Sequence, residues 1–168
     1  YAAGIGVYPV RGNHDALQDT PGGEVWNSVF SGPYALPGTG PEGEKGLTYS
    51  FIHKNIFVAA IDQFAGEAAV NQPWLDAQLA QNARPHVFIF GHKPAFKVYH
   101  EDCLDDNRTR RNLFWEGMVQ TGGRAYFCAH DHFYSRSRID DGDGDPDNDA
   151  YQLIVATAGA PYYVFTAL

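Results

Sequence analysis

Four histidines, an asparagine and two aspartates fall in three short segments of the chain: Gly12-Asn13-His14-Asp15, Gly91-His92-Lys93-Pro94 and Ala129-His130-Asp131-His132. Imidazole nitrogens and an amide oxygen are neutral donors with lone pairs to give, and carboxylates add charge. Brought together, such groups bind metal ions. Asn13 offers a hard oxygen that suits Mg, Mn, Fe or Zn beside imidazole. Neither Cys103 nor Cys128 is spaced as a ligand, which argues against a structural thiolate zinc site. His14 follows Asn13 directly, and neighbours in extended backbone point apart, so His14 is expected to face a substrate rather than the same ion. With Asp15 behind it favouring the imidazolium, His14 would donate a proton. His130 and His132 are two apart; in extended backbone they would project to one side and flank a pair of ions.

Strand-like runs precede all three segments, so each is expected at a strand exit, where α/β sheets build their sites. Ile5 to Val10 reads as the first strand. The Gly- and Pro-rich stretches Asp19 to Glu24 and Gly32 to Gly46 read as surface loops. Thr48 to Ile52 and Ile56 to Ile61 form a hairpin around a three-residue turn, His53-Lys54-Asn55. Pro73 opens a short amphipathic helix carrying Trp74, Leu75, Gln78 and Leu79, and His86 to Phe90 is a buried strand. The pairs Phe114/Met118 and Trp115/Val119 are four apart, which predicts a helix over 107–121 stopped by Gly122-Gly123. Strands follow at Ala125 to Cys128, Phe133 to Ile139, Tyr151 to Thr157 and Tyr162 to Phe165. The whole is a single mixed α/β domain over 1–168, with an acidic hairpin insertion at 140–149.

Composition narrows the function classes. The 168 residues are 44% hydrophobic, with eleven Phe, ten Tyr and three Trp, enough for a substantial core. Apolar runs reach strand length only, so no membrane span is expected. The net charge of −8 is local: six of the twenty acids lie in 140–149, and elsewhere fourteen acids nearly balance twelve bases. No basic stripe points to nucleic acid. Two cysteines are too few for a disulfide framework, and Cys128, ending an apolar run, reads as a buried thiol.

The ordered set Gly-Asn-His-Asp, Gly-His-Lys-Pro, Ala-His-Asp-His resembles the calcineurin-like metallophosphoesterase superfamily. Thr48-Tyr49-Ser50-Phe51, Trp74-Leu75, Tyr134 and Gln152 to Pro161 add to the likeness, and His130-Asp131-His132-Phe133-Tyr134 is similar to the purple acid phosphatase branch. The resemblance implies a four-layer α/β sandwich of two mixed sheets flanked by helices. It also implies a dinuclear centre of divalent or trivalent ions (Fe, Mn, Zn or Mg) that hydrolyses phosphate mono- or diesters. Asn13, His92 and His130 would then bind the second metal and His132 the first. His14 would stabilise the transition state or protonate the leaving group, with Asp15 behind it, and Asp131 would support the ligands. The family's earlier motifs, an Asp-x-His and a Gly-Asp, have no counterpart in residues 1–11, which hold no Asp and no His. The chain is accordingly expected to be the C-terminal part of a catalytic domain, or a cleavage product, lacking N-terminal strands and showing little turnover alone. Its expected partners are the missing segment of its own domain, or a second copy through the exposed sheet. The alternative is a non-catalytic metal-binding remnant.

The remaining polar features read more plainly. His53 is a turn residue, His86 a strand residue and His100 a loop residue, while Tyr99 and Tyr134 border either substrate or core. Asp141, Asp143, Asp145 and Asp147 alternate as in a calcium loop. However, Pro146 stands where such loops need Gly, and Gln152 where they need a bidentate Glu, so a solvated insertion is the competing reading. Acidic clusters of this kind lean towards a secreted or periplasmic setting. Substrate-binding residues are unknown from the sequence.

Overall fold

Apolar residues at alternate strand positions give a sheet one oily face, and two helices with apolar stripes cover it. The structure, a computed structural model, describes residues 6–157 and 161. Its strands are β1 (Tyr49–His53), β2 (Ile56–Ala60), β3 (His86–Phe90), β4 (Ala125–Cys128), β5 (Tyr134–Ile139) and β6 (Ala150–Val155). They form one sheet ordered β1-β2-β3-β4-β6-β5. The inner strands β2, β3, β4 and β6 are parallel, and β1 and β5 are antiparallel edges. The helices are α1 (Asn13–Ala16), α2 (Glu24–Val29), α3 (Gln72–Gln81) and α4 (Arg108–Gln120). The chain is therefore mixed α/β. Among the described residues there is one sheet, not two.

On one face, Leu75 and Leu79 of α3 and Phe114, Trp115 and Met118 of α4 bury Phe57, Ala59, Val87, Ile89, Tyr126, Cys128 and Ile154. At the β1–β2 end of the opposite face, Trp26, Phe30, Leu36 and Val10 pack on Tyr49, Phe51 and Ala60. Further along that face, Val58, Phe88, Phe90, Phe127 and Leu153 are half-buried. There the Phe127 ring stacks on Phe90 at 4.9 Å.

Three local expectations change. Residues 6–10 form no strand, and Ile5 lies outside the described residues. Pro9 has no N–H for a ladder. This segment is held by side chains instead: Tyr8 stacks on Phe51 at 4.2 Å, and the Tyr49 hydroxyl donates to the Pro9 carbonyl at 2.7 Å. In the hairpin, His53 pairs with Ile56, so the turn is the two residues Lys54-Asn55, with Lys54 at φ 54°. A positive φ there matches the strand twist. Glu24 opens α2 rather than closing a loop, because Asp19 accepts the amides of Val25 and Trp26 at 2.9 and 3.0 Å. The strand expected at Tyr162 to Phe165 lies outside the described residues. Cys103 and Cys128 are buried free thiols; burial raises both above the ordinary thiol value.

Candidate metal centre

Because β2, β3 and β4 are neighbouring parallel strands, the loops that leave their C-terminal ends share one edge of the sheet. Asp62-Gln63, His92-Lys93 and His130 to Phe133 stand in those loops. The Asn13 segment is brought to the same edge by a buried ion pair. Arg11 is 1% exposed and grips Asp62 with two donors, Nε to Oδ2 at 2.8 Å and Nη2 to Oδ1 at 3.1 Å. Its Nη1 also donates to the Thr20 carbonyl at 3.1 Å. This fork-on-carboxylate geometry fixes direction as well as distance.

Gln63 fixes the next loop. Its side-chain oxygen accepts the amides of His92, at 2.7 Å, and of Lys93, and its amide group donates to the Tyr126 hydroxyl at 3.1 Å. Two glycines permit the close approaches this needs. A Cβ on Gly91 would lie 2.3 Å from the Tyr126 hydroxyl, and one on Gly12 would lie 2.9 Å from Cε1 of His92.

These anchors place His92 Nε2 at 2.8 Å from Asn13 Oδ1 and 3.2 Å from His130 Nδ1. Metal–ligand bonds of about 2.0–2.1 Å put adjacent donors roughly 3.0–3.4 Å apart. Both contacts of His92 have the spacing of neighbouring donors on one ion. His130 reaches its place through a left-handed backbone, φ 69°, a conformation that costs a β-carbon-bearing residue on the order of 1–3 kcal/mol and persists where surroundings enforce it. Burial, then the neighbouring His130, pushes His92 down to about 4. Burial, then His100, lowers His130 as well. Both rings are therefore neutral near pH 7, the form that coordinates metals.

Asp131 is fully buried and organises the far wall. It accepts the amides of Tyr99 and His100, each at 3.2 Å, and meets His100 Nδ1 at 2.6 Å. The His100 ring then lies 4.5 Å from that of His130. Nε2 of His130 is buried with no hydrogen-bond partner; its nearest charge is Asp102 Oδ2 at 3.8 Å, and Asp102 is also bound by Lys93 Nζ. Beside Lys93 opens a cleft of about 600 Å³, lined among others by Glu67, Leu104, Arg110 and Arg111.

Of the predicted ligands, Asn13, His92 and His130 come together. His132, expected to bind the other ion, turns its Nδ1 to the Pro161 carbonyl at 3.1 Å. The expectation that His130 and His132 share a side assumed extended backbone, and the left-handed turn at His130 removes that premise. His14 is exposed on α1. There neighbouring side chains diverge by about 100°, so it still points away from Asn13. Asp15 accepts the Gly12 amide at 2.9 Å, closing the turn. Among the four acids read as a calcium loop, Asp141, Asp143 and Asp145 each accept the amide two residues on, at 2.7–3.0 Å. The carboxylates that converge are Asp140, Asp141 and Asp149 instead.

Arg11, Asp62, Gln63, His100 and Asp102 were not read as site residues. Asp62 and Gln63 obey the same strand-exit rule as the ligands, directly after an apolar run, and that signal was available. A scan against protein-family models returned no match, and a search of curated proteins returned none.

Proposed function

We propose that the protein is a metal-dependent phosphoesterase whose site is built around Asn13, His92 and His130. The observation that carries this reading is the meeting of Asn13 Oδ1, His92 Nε2 and His130 Nδ1 within 3.2 Å along the chain of contacts, at the carboxyl ends of parallel strands. The ordered motifs that resemble the metallophosphoesterases support it, as does the mixed sheet whose strand ends carry them. Bound divalent or trivalent ions in such a site activate water and neutralise phosphoryl charge.

The chain's own residues supply the rest. Asn13, His92 and His130 hold the ligand geometry, with Gln63 and the Arg11–Asp62 pair fixing their loops. His14, exposed and turned from Asn13, carries a proton for the leaving oxygen. Lys93 and the adjoining cleft give an ester's organic group a place to lie. A second reading is metal binding without turnover, since Asn13, His92 and His130 meet around a single position.

Turnover of an aryl phosphomonoester and an aryl phosphodiester by the intact protein, with metal analysis on the same sample, separates the two. The enzyme reading expects hydrolysis of at least one ester that chelation removes and Mn, Fe or Zn restores. A full metal complement with neither ester cleaved leaves only the binding reading.

A further inference from the structure

The acidic hairpin between β5 and β6 holds a second cluster. One carboxylate oxygen from each of Asp140, Asp141 and Asp149 lies within 4.8 Å of the others. Two of these residues are exposed, but Asp149 is only 5% exposed. Its Oδ2 meets Arg138 Nε at 3.3 Å, while its Oδ1 is buried with no hydrogen-bond partner. The neighbouring Asn148 repeats the pattern: Nδ2 donates to Asp143 at 2.6 Å, and Oδ1 is buried without a partner. Asp141, Asn148 and Asp149 together line a small cavity of about 160 Å³ against the C-terminal half of α4.

Buried oxygens left unsatisfied are costly, and three carboxylates this close repel one another. Arg138 offsets one charge and touches one oxygen. A hard cation would satisfy the remaining oxygens and neutralise the charge at once. All three oxygens lie within 4.8 Å of one another, and calcium's flexible shell of six to eight oxygens at about 2.3–2.6 Å accommodates such a group. Magnesium demands near-ideal octahedral geometry and keeps most of its waters, which suits a partly exposed hairpin cluster less well.

We propose that Asp140, Asp141 and Asp149, with the Asn148 amide oxygen, form a calcium site that closes the base of the β5–β6 hairpin. Asp140 and Asp141, like Asp143 and Asp145, each accept a backbone amide through Oδ1; the site differs from a loop of alternating acids in drawing on the buried Asp149. It is also independent of the histidine site and of any phosphoesterase activity.

Thermal melting of the purified protein with and without about 10 mM calcium tests it, a concentration above the weak affinities of extracellular calcium modules. The expected result is a rise of roughly 3–10 °C, from mass-action stabilisation of a domain this size. The same rise is expected in His92→Ala. It should vanish in the double variant Asp140→Ala/Asp141→Ala, which changes exposed residues, and survive in Asp145→Ala. In calcium-free buffer the double variant should melt at or above the wild-type temperature, because repulsion is relieved. Absence of any calcium effect on the wild type overturns the proposal. So does an effect that persists in the double variant or disappears in Asp145→Ala.

Discussion

His92 joins more of the centre than any other side chain, meeting Asn13 and His130 through one nitrogen while its backbone amide is held by Gln63. Replacing His92 or His130 by alanine should strip the bound metal, measured by elemental analysis; wild-type content in both variants would refute the ligand assignment. By contrast, His14→Ala should lower turnover by about 10²–10⁴-fold, the usual worth of a general acid, with metal content nearly unchanged. The pH dependence of stability has a definite sign. An unfolded histidine titrates near 6.5, whereas His92 in the folded chain takes its proton only at about 4. The unfolded state therefore binds more protons between those values, and stability falls as pH drops through that window. Urea unfolding at pH 7 and pH 4.5, with chelator present, should show this component, on the order of 2 kcal/mol, shrinking in His92→Gln. At this scale the ligand types were legible because imidazole and amide donors recur at strand exits. The backbone at His130 was not legible, because nothing in the sequence announces a left-handed histidine.

The loops at the ends of β2, β3 and β4 are positioned by two devices, the Arg11–Asp62 pair and the Gln63 amide. Both bridge residues far apart in sequence, 51 positions for the pair and 29 for Gln63 to His92. Asp62→Ala would leave the buried guanidinium with only the longer pair to Asp19, at 3.5 Å, and is expected to cost about 3 kcal/mol, read from the urea midpoint. Metal affinity should fall with it, because Asn13 loses its anchor. An Asp62→Ala protein as stable as wild type would show that the pair does not position the segment. Strands β3 and β4 and helices α3 and α4 were readable because alternation, four-residue spacing and a proline at a first turn are local signals. Helix α2 was not, since it rests on Asp19 capping from outside the segment. The strand expected before Val10 failed for the opposite reason: apolar content was present, but a ladder needs a partner strand, and here side chains on β1 take that role.

Across the whole molecule, the three converging donors come from residues 79 and 38 positions apart. An ion held by all three ties the N-terminal segment to the exits of β3 and β4, so it stabilises the native state by mass action. Zinc or manganese in excess should raise the melting temperature by several degrees, increasing with metal concentration. His130→Ala should remove that dependence, and an unchanged dependence would place the ion elsewhere. The α/β class and the order of motifs could be read at this scale. Convergence could not, because it follows from the parallel order of β2, β3 and β4, which single segments do not encode.

The contact between His92 and Asn13 has one more consequence. An amide oxygen only accepts, so a His92 Nε2 that hydrogen-bonds to it carries the ring proton. Coordination needs the lone pair on that same nitrogen, and the proton must then sit on Nδ1. Loading the site therefore exchanges one imidazole tautomer for the other without changing the ring's charge. The event would be visible as an interchange of the two ¹⁵N resonances of a single histidine, whatever the substrate.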